Sequence, residues 1–388
     1  MNGTLTLNRY VLRPKSKTDA DKLRELENYN AVVPLDDYLK LSGLPFKMTP
    51  NLMLATAFWA QNQGSYQEAE DAILRAYGIK VNDDTVRQVA NYVGNAVFQA
   101  DCEKANMAYD RLNKGKLKFP TRKKSGVLYI EADGAALNTR IKDNDGSTWR
   151  ENKLGMVFSS DNIYTWTNRK GEKQRQLNKR EYIAYIGTVS EFKKHLFSCA
   201  LKNGYGQYEK TVLISDGAAW IRNMKDELFP DAQQILDFYH LCENVNTYAK
   251  CLFGQENPQC SEWANDICAL LKKSKWQNVL SDLEKRRKPH GSTVDLHGYI
   301  TNNIPNIDYS HYQSEGYFIG SGAIESGNKS VLQQRLKQAG MRWNVQTAQN
   351  LLTLRAKYKS GLWLNEVEKP VLDLLNNVSN CHLVSNTS

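Results

Sequence analysis

No stretch of this chain stays apolar for anything near the roughly 18 residues that a membrane-crossing helix needs. Its first residues, Met1-Asn2-Gly3-Thr4-Leu5-Thr6-Leu7, lack the basic-then-apolar pattern of an export signal. The seven cysteines form no C-x-x-C pair, and seven is an odd number for a disulfide framework. Cys242, Cys251, Cys260 and Cys268 share one helical-looking stretch, but their spacing matches no zinc framework. These absences exclude a membrane protein and a disulfide-stapled secreted domain. They predict a soluble, cytoplasmic chain with reduced, mostly structural cysteines.

Acidic charge is also in short supply. Across 388 residues, 51 Lys and Arg face 42 Asp and Glu, a formal charge of +9. The excess is clustered. Residues 111–124 carry Arg111, Lys114, Lys116, Lys118, Arg122, Lys123 and Lys124 with no acid, and residues 169–180 carry six bases against Glu172 alone. Such blocks are either solvated linkers or phosphate-binding surfaces. Two of them flanking one strand region favour a nucleic-acid partner. The length suggests two or three domains rather than one core.

Two apolar runs end alike. Leu128-Tyr129-Ile130-Glu131-Ala132 leads into Asp133-Gly134-Ala135-Ala136, and Val212-Leu213-Ile214-Ser215 leads into Asp216-Gly217-Ala218-Ala219. Asp-Gly after a strand commonly signals a hairpin turn. The second copy, however, continues as a helical pattern. After the first, Asp143-Asn144-Asp145-Gly146 supplies a better turn. A third acid, Glu325, opens a later helix in Ile319-Gly320-Ser321-Gly322-Ala323-Ile324-Glu325-Ser326. Two strand-end aspartates and a distant helical glutamate suit two-metal phosphodiester chemistry, and the glycines are expected to leave room for a DNA backbone.

The organisation reads in six parts. Residues 1–50 are short strands and loops, with an alternating strand at 5–12. Residues 51–125 are helical and end in the basic run. Within them Tyr66-Gln67-Glu68-Ala69-Glu70-Asp71-Ala72-Ile73-Leu74-Arg75-Ala76-Tyr77 stops at Gly78, and Asn82-Asp83-Asp84 offers caps for a helix over residues 85–92. That layout is either a helix-turn-helix, with Thr85, Arg87 and Gln88 on its recognition helix, or an ordinary helical hairpin. Residues 126–240 hold strands at 127–132, 154–159 and 182–189, a helix at 191–203, a strand at 211–215, a helix at 219–229 and a strand at 234–236. That order is the order of a ribonuclease H-like α/β fold with a mixed sheet. Residues 241–315 are a helical insertion, its helices filling 241–287, in which Trp263 and Trp276 either pack or stack on a flipped base. Residues 316–365 return to the core with Glu325, and 366–388 are a tail.

Ala132-Asp133-Gly134, Ile214-Ser215-Asp216-Gly217-Ala218, Asp237-Phe238-Tyr239-His240, Gly320-Ser321-Gly322-Ala323-Ile324-Glu325-Ser326-Gly327-Asn328-Lys329 and Gly340-Met341-Arg342-Trp343 carry a family resemblance. Over residues 5–363 the chain resembles the ISLre2-type DDE transposases of the wider IS256 and Mutator-like group. In similar enzymes a further segment precedes the strand at 5–12. The resemblance implies Asp133, Asp216 and Glu325 as a catalytic triad. It also implies Asp237 and His240 as a D-x-x-H motif and a bacterial, nucleoid-associated setting.

Several roles follow as expectations. Asp133 bridges two Mg²⁺ ions, replaceable by Mn²⁺, while Asp216 and Glu325 each ligate one. Capping a helix is the structural alternative for Glu325. His240 either lines the site or sits at a helix end. Lys329 either contacts phosphate or pairs with Glu325. Lys116, Lys118, Lys123, Lys124 and Arg342 complete the expected DNA contacts. The expected partner is double-stranded DNA, at terminal repeats and at target, with a homodimer or larger assembly pairing two ends. The expected activity is strand cleavage and transfer at element ends. The alternatives are a catalytically silent DNA-binding derivative and a ribonuclease H-like nuclease.

Overall fold

The computed structural model describes residues 34–38, 41, 44–143, 145–286 and 294–385. The strand expected at 5–12 lies outside them. The chain divides into two compact units, the first running up to Ala96 and resuming at Trp363, the second spanning Val97–Leu362.

In the first unit, helix α1 (Pro50–Asn62) starts at Pro50 under a Thr49 cap, and α2 (Tyr66–Tyr77) is capped by Ser65 and stopped by Gly78 in the left-handed conformation. Helix α3 (Asp83–Asn113) follows, with the boundary between units inside it. The Asn82 side chain accepts from Thr85 N at 2.8 Å, so the expected cap is present. The helix does not stop near residue 92 but runs to Asn113, because Val86, Val89, Ala90, Val93 and Val97 continue its buried stripe. Ala60, Ala69, Ile73, Val81, Val86 and Ala90 form the core here. The Phe58 ring meets Trp363 edge-on at 5.4 Å.

The second unit is built on a five-stranded mixed sheet. Its strands are β1 (Lys124–Asn138), β2 (Trp149–Ser159), β5 (Glu181–Ile186), β6 (Tyr208–Ser215) and β7 (Gln233–Leu236), in the order β5-β2-β1-β6-β7. β1 pairs antiparallel with β2 and parallel with β6, and β6 pairs parallel with β7. Between β2 and β5 the chain makes a separate antiparallel hairpin, β3 (Ile163–Thr167) and β4 (Lys173–Leu177), which the sequence reading missed. Ile163-Tyr164-Thr165-Trp166-Thr167 has a strand's β-branched and aromatic make-up, but its partner Lys173–Leu177 is polar and lies in the basic run, so the pair did not stand out.

Strand alternation divides the core. Leu128, Ile130 and Ala132 point to one face and pack on Phe192, Leu196 and Phe197 of α4 (Val189–Lys202) and on Ile221, Met224 and Leu228 of α5 (Ala219–Leu228). Tyr129, Glu131 and Asp133 point to the other. There Tyr129 stacks on Phe158 at 4.9 Å and meets Phe318 edge-on at 5.2 Å.

The stretch expected as an insertion is helical, its first helix beginning at Phe238: α6 (Phe238–Phe253), α7 (Pro258–Lys272) and α8 (Trp276–Lys285) come first, then α9 (Leu296–Asn302) and α10 (Tyr309–Ser314). Trp263 packs inside it, its indole N–H donating to Asp282 at 2.9 Å and its ring lying under Arg286 at 5.5 Å. Helix α11 (Gly322–Gly327) then crosses the Glu131 face and continues into a π-helical turn at Asn328–Gln333. The buried Arg355 of α12 (Val345–Lys359) donates to carbonyls of that turn, at Val331 (2.8 Å) and Ser330. Helix α12 also covers the edge of β5. Gln349 accepts from Ile186 N at 2.8 Å and donates to the Ala184 carbonyl at 2.9 Å, pairing backbone groups an open edge would leave exposed.

Candidate active site

The parallel register brings the aspartates together. The last β1–β6 pair is Glu131 with Ile214, and Asp133 and Asp216 each lie two residues beyond it. The last β6–β7 pair is Ser215 with Leu236, and Asp216 and Asp237 each lie one residue beyond it. Three aspartates therefore sit level at the carboxyl edge of three neighbouring parallel strands, about 4.8 Å apart per strand. Asp133 is not at the end of its strand: β1 runs on to Asn138, paired with β2 throughout. It sits instead where β1 outruns β6, which is why burial falls off there.

Helix α11 supplies the third acid from the same face. Glu131, buried within β1, accepts the Ile324 N–H at 2.9 Å, a helix-start N–H that also donates to the Ser321 carbonyl at 3.0 Å. Asp237 accepts from Ser321 Oγ at the same helix start, while its other oxygen takes the Tyr239 N–H of α6 at 2.8 Å. At the far end Asn328 Nδ2 donates to Asp133 Oδ2 at 2.5 Å. Gly327 allows the close approach, since a Cβ there would lie 2.6 Å from the Tyr182 ring. Glu325 is thus held over the strand that carries Asp133.

The electrostatics follow. Burial raises the Asp133 carboxyl above its ordinary value, and the Asp216 charge adds to this against its bonds from Gly134 N and Asn328. Burial also raises Glu325, with the charges of Asp237, Glu243 and Asp133 contributing. Glu131 is pushed up to about 8, first by complete burial and then by Asp237 and Glu325. His240, half-exposed at the start of α6, opposes the shifts of both Asp133 and Glu325, and its Nδ1 lies 3.7 Å from Glu243. Such a set of crowded carboxyls has raised proton affinity that His240 offsets only in part. Its oxygen donors fit a hard divalent cation. Among the described residues, no three His, Cys, Asp or Glu side chains lie close enough to hold an ion as they stand. The side chains are turned to protein donors: Asp133 to Gly134 N and Asn328, Asp216 to Ala218 N at 2.9 Å.

One family model matches residues 25–370. The chain belongs to the uncharacterised protein family UPF0236. No curated protein matches it.

In this member of UPF0236 Gly217 has a positive φ of 84° with Leu236 and Asn303 against it, so a turn and close packing require it, whereas a Cβ on Gly134 would meet the far end of the exposed, flexible Glu151 side chain. Among the residues expected on DNA, Lys116, Lys118 and Lys123 are exposed, but Lys124 is paired with Asp161 and hydrogen-bonded to Tyr208. Arg87 and Gln88 both donate to Asp84, and Thr85 is half-buried. Lys329 is exposed on the π turn, and among the described residues no ion pair joins it to Glu325. Arg342 is exposed beside Trp343, which bridges Thr139 just past β1. Glu131 and Asn328 were missed as site residues. The signal for Glu131 was present: a charged residue amid an apolar strand run needs a buried partner.

No described helix is long and apolar enough to cross a membrane.

Proposed function

We propose that this UPF0236 chain is a metal-dependent DNA transposase of the ISLre2 type, built on a ribonuclease H-like core. The observation that carries this reading is the level placement of Asp133 and Asp216 on adjoining parallel strands, with the Glu325 helix bound over the same face. Supporting it are the sheet order β5-β2-β1-β6-β7, with β1 antiparallel to β2 and parallel to β6, and the basic charge.

In this reading Asp133, Asp216 and Glu325 hold Mg²⁺, with Mn²⁺ able to replace it. When bound, the metal supplies activation of the attacking oxygen and stabilisation of the leaving one in phosphodiester displacement. The protein's own residues prepare the place. Glu131 and Asp237 fix the start of α11, the helix that carries Glu325, and Asn328 orients the Asp133 carboxyl. His240, partly exposed and electrostatically coupled to two of the acids, is placed to contact a phosphate. Lys116, Lys118 and Lys123 bind duplex phosphates, and two copies of the chain pair two element ends.

Purified protein incubated with labelled element ends and Mg²⁺ tests the reading, scored separately for nicked and joined product. Joined product is expected. Nicking without joining would make the chain a ribonuclease H-like nuclease. Binding without cleavage would make it a silent DNA-binding derivative.

A further inference from the structure

The hairpin β3–β4 stands outside the five-stranded sheet, and its two faces differ. One face carries Thr165 opposite Arg175, and the Arg175 guanidinium lies 5.3 Å above the Phe318 ring. Phe318 in turn contacts Tyr129, four residues before Asp133 on the same face of β1, or about 13 Å along the strand. The other face carries Tyr164 and Trp166 opposite Gln176 and Gln174. The two rings are stacked, 5.8 Å apart and 22° from parallel, and stay 58% and 38% exposed. Aromatic pairs of this kind ordinarily bury their faces in a core.

The hairpin is also rigid at its tip. Asn168 Oδ1 accepts from Lys170 N at 2.9 Å and Glu172 N at 3.0 Å, and Asn168 Nδ2 donates to Glu172 at 2.7 Å. That bond engages the only acid between residues 169 and 180. Arg169, Lys170 and Lys179 are exposed and, among the described residues, have no acidic partner. An aromatic stack on a hairpin with exposed cations at its tip (Arg169, Lys170) and just past its other end (Lys179) complements a polyanion that carries planar, uncharged rings. Aromatic side chains flanked by basic ones bind single strands in this way: bases stack on the rings and phosphates meet the cations.

We propose that the β3–β4 hairpin is a stacking platform for unpaired bases of the DNA strand being cut, with Tyr164 and Trp166 as the bases' partners and Arg169, Lys170 and Lys179 on the flanking phosphates. This rests on the transposase reading, because the hairpin's inner face leads through Phe318 and Tyr129 to the strand carrying Asp133. It adds to that reading a subsite that recognises single-stranded rather than duplex DNA.

The test is fluorescence anisotropy with the full-length chain, using a labelled oligo-dT strand and a labelled duplex of equal length. Wild type is compared with the double variant Tyr164→Ala/Trp166→Ala and with Tyr164→Phe/Trp166→Phe. The alanine variant should lose about 10- to 100-fold in affinity for the single strand, with duplex affinity changed less than about threefold and the phenylalanine variant close to wild type. Both rings are exposed, so the substitutions leave the core intact, which circular dichroism checks. Equal single-strand affinity of wild type and alanine variant would overturn the platform and leave the transposase reading standing. A loss on duplex alone would also overturn it, making the hairpin a groove-reading ribbon. Wild type that binds neither DNA would overturn both readings.

Discussion

The buried carboxyl of Glu131 should make this protein lose stability as pH rises through neutrality. Its proton affinity is pushed from an ordinary 4.5 to about 8 by burial and by the charges of Asp237 and Glu325. A carboxyl raised in the folded state binds its proton more tightly there than in the unfolded chain. The stability it contributes is therefore complete below about pH 4.5 and is lost as pH climbs to about 8. At 1.36 kcal/mol per unit, the loss is roughly 3 kcal/mol by pH 7 and about 5 kcal/mol above pH 8, as upper bounds. Glu131→Gln removes the titration but keeps an oxygen able to accept the Ile324 N–H. Urea unfolding of both proteins in EDTA, across about pH 5 to 8, measures the difference. The variant should match or fall below wild type at low pH and exceed it by a few kcal/mol at pH 8. Asp133 and Glu325 shift in the same direction in both proteins, so the comparison isolates Glu131. Curves that stay parallel throughout would refute the reasoning, because Glu131 would then be ionised in the fold.

Asp133→Ala, Asp216→Ala and Glu325→Ala should each abolish cleavage and strand transfer while DNA binding, which rests on Lys and Arg, is preserved; a nicking assay in Mg²⁺ checks each, and activity in Asp216→Ala would remove that residue from the triad. Calorimetry at mildly acidic pH, in buffers of different ionisation enthalpy, should detect more proton release on Mg²⁺ binding as the pH is lowered toward the carboxylate range, since a cation lowers the raised Asp133 and Glu325 carboxyls; heats independent of buffer at every pH would contradict this. Neutralising Lys116, Lys118 and Lys123 together should reduce the salt slope of duplex binding by up to about 2.7, at about 0.9 per phosphate contact, whereas adding Lys124 should change it little because that side chain is held by Asp161. Asn328→Ala should weaken cleavage about 10-fold without altering DNA affinity, as Asp133 loses the donor that orients it; unchanged rates would make Asn328 a packing residue.

From local periods the sequence by itself located the five strands of the main sheet and the helices after β5 and β6, although β1 and β2 extend up to six residues beyond the expected bounds and the β3–β4 hairpin was not anticipated. It also supplied the short list of acids, since Asp133, Asp216 and Glu325 stand at breaks in apolar patterns. The caps at Asn82 and the turn at Asp143 were legible for the same reason: capping and turn chemistry act within four residues. What only the tertiary structure decided is whatever depends on distant segments. The level of Asp133 with Asp216 is a matter of parallel register, which no local pattern encodes across a crossover. Glu131 became a site residue only because Ile324, 193 residues away, presents an N–H to it. The pairing of Lys124 with Asp161, the packing of Leu236 and Asn303 against Gly217, and the Arg175 contact that seats the β3–β4 hairpin on Phe318 belong to the same class. Local sequence sets which groups are available, and the packing of remote elements sets which of them remain free to act.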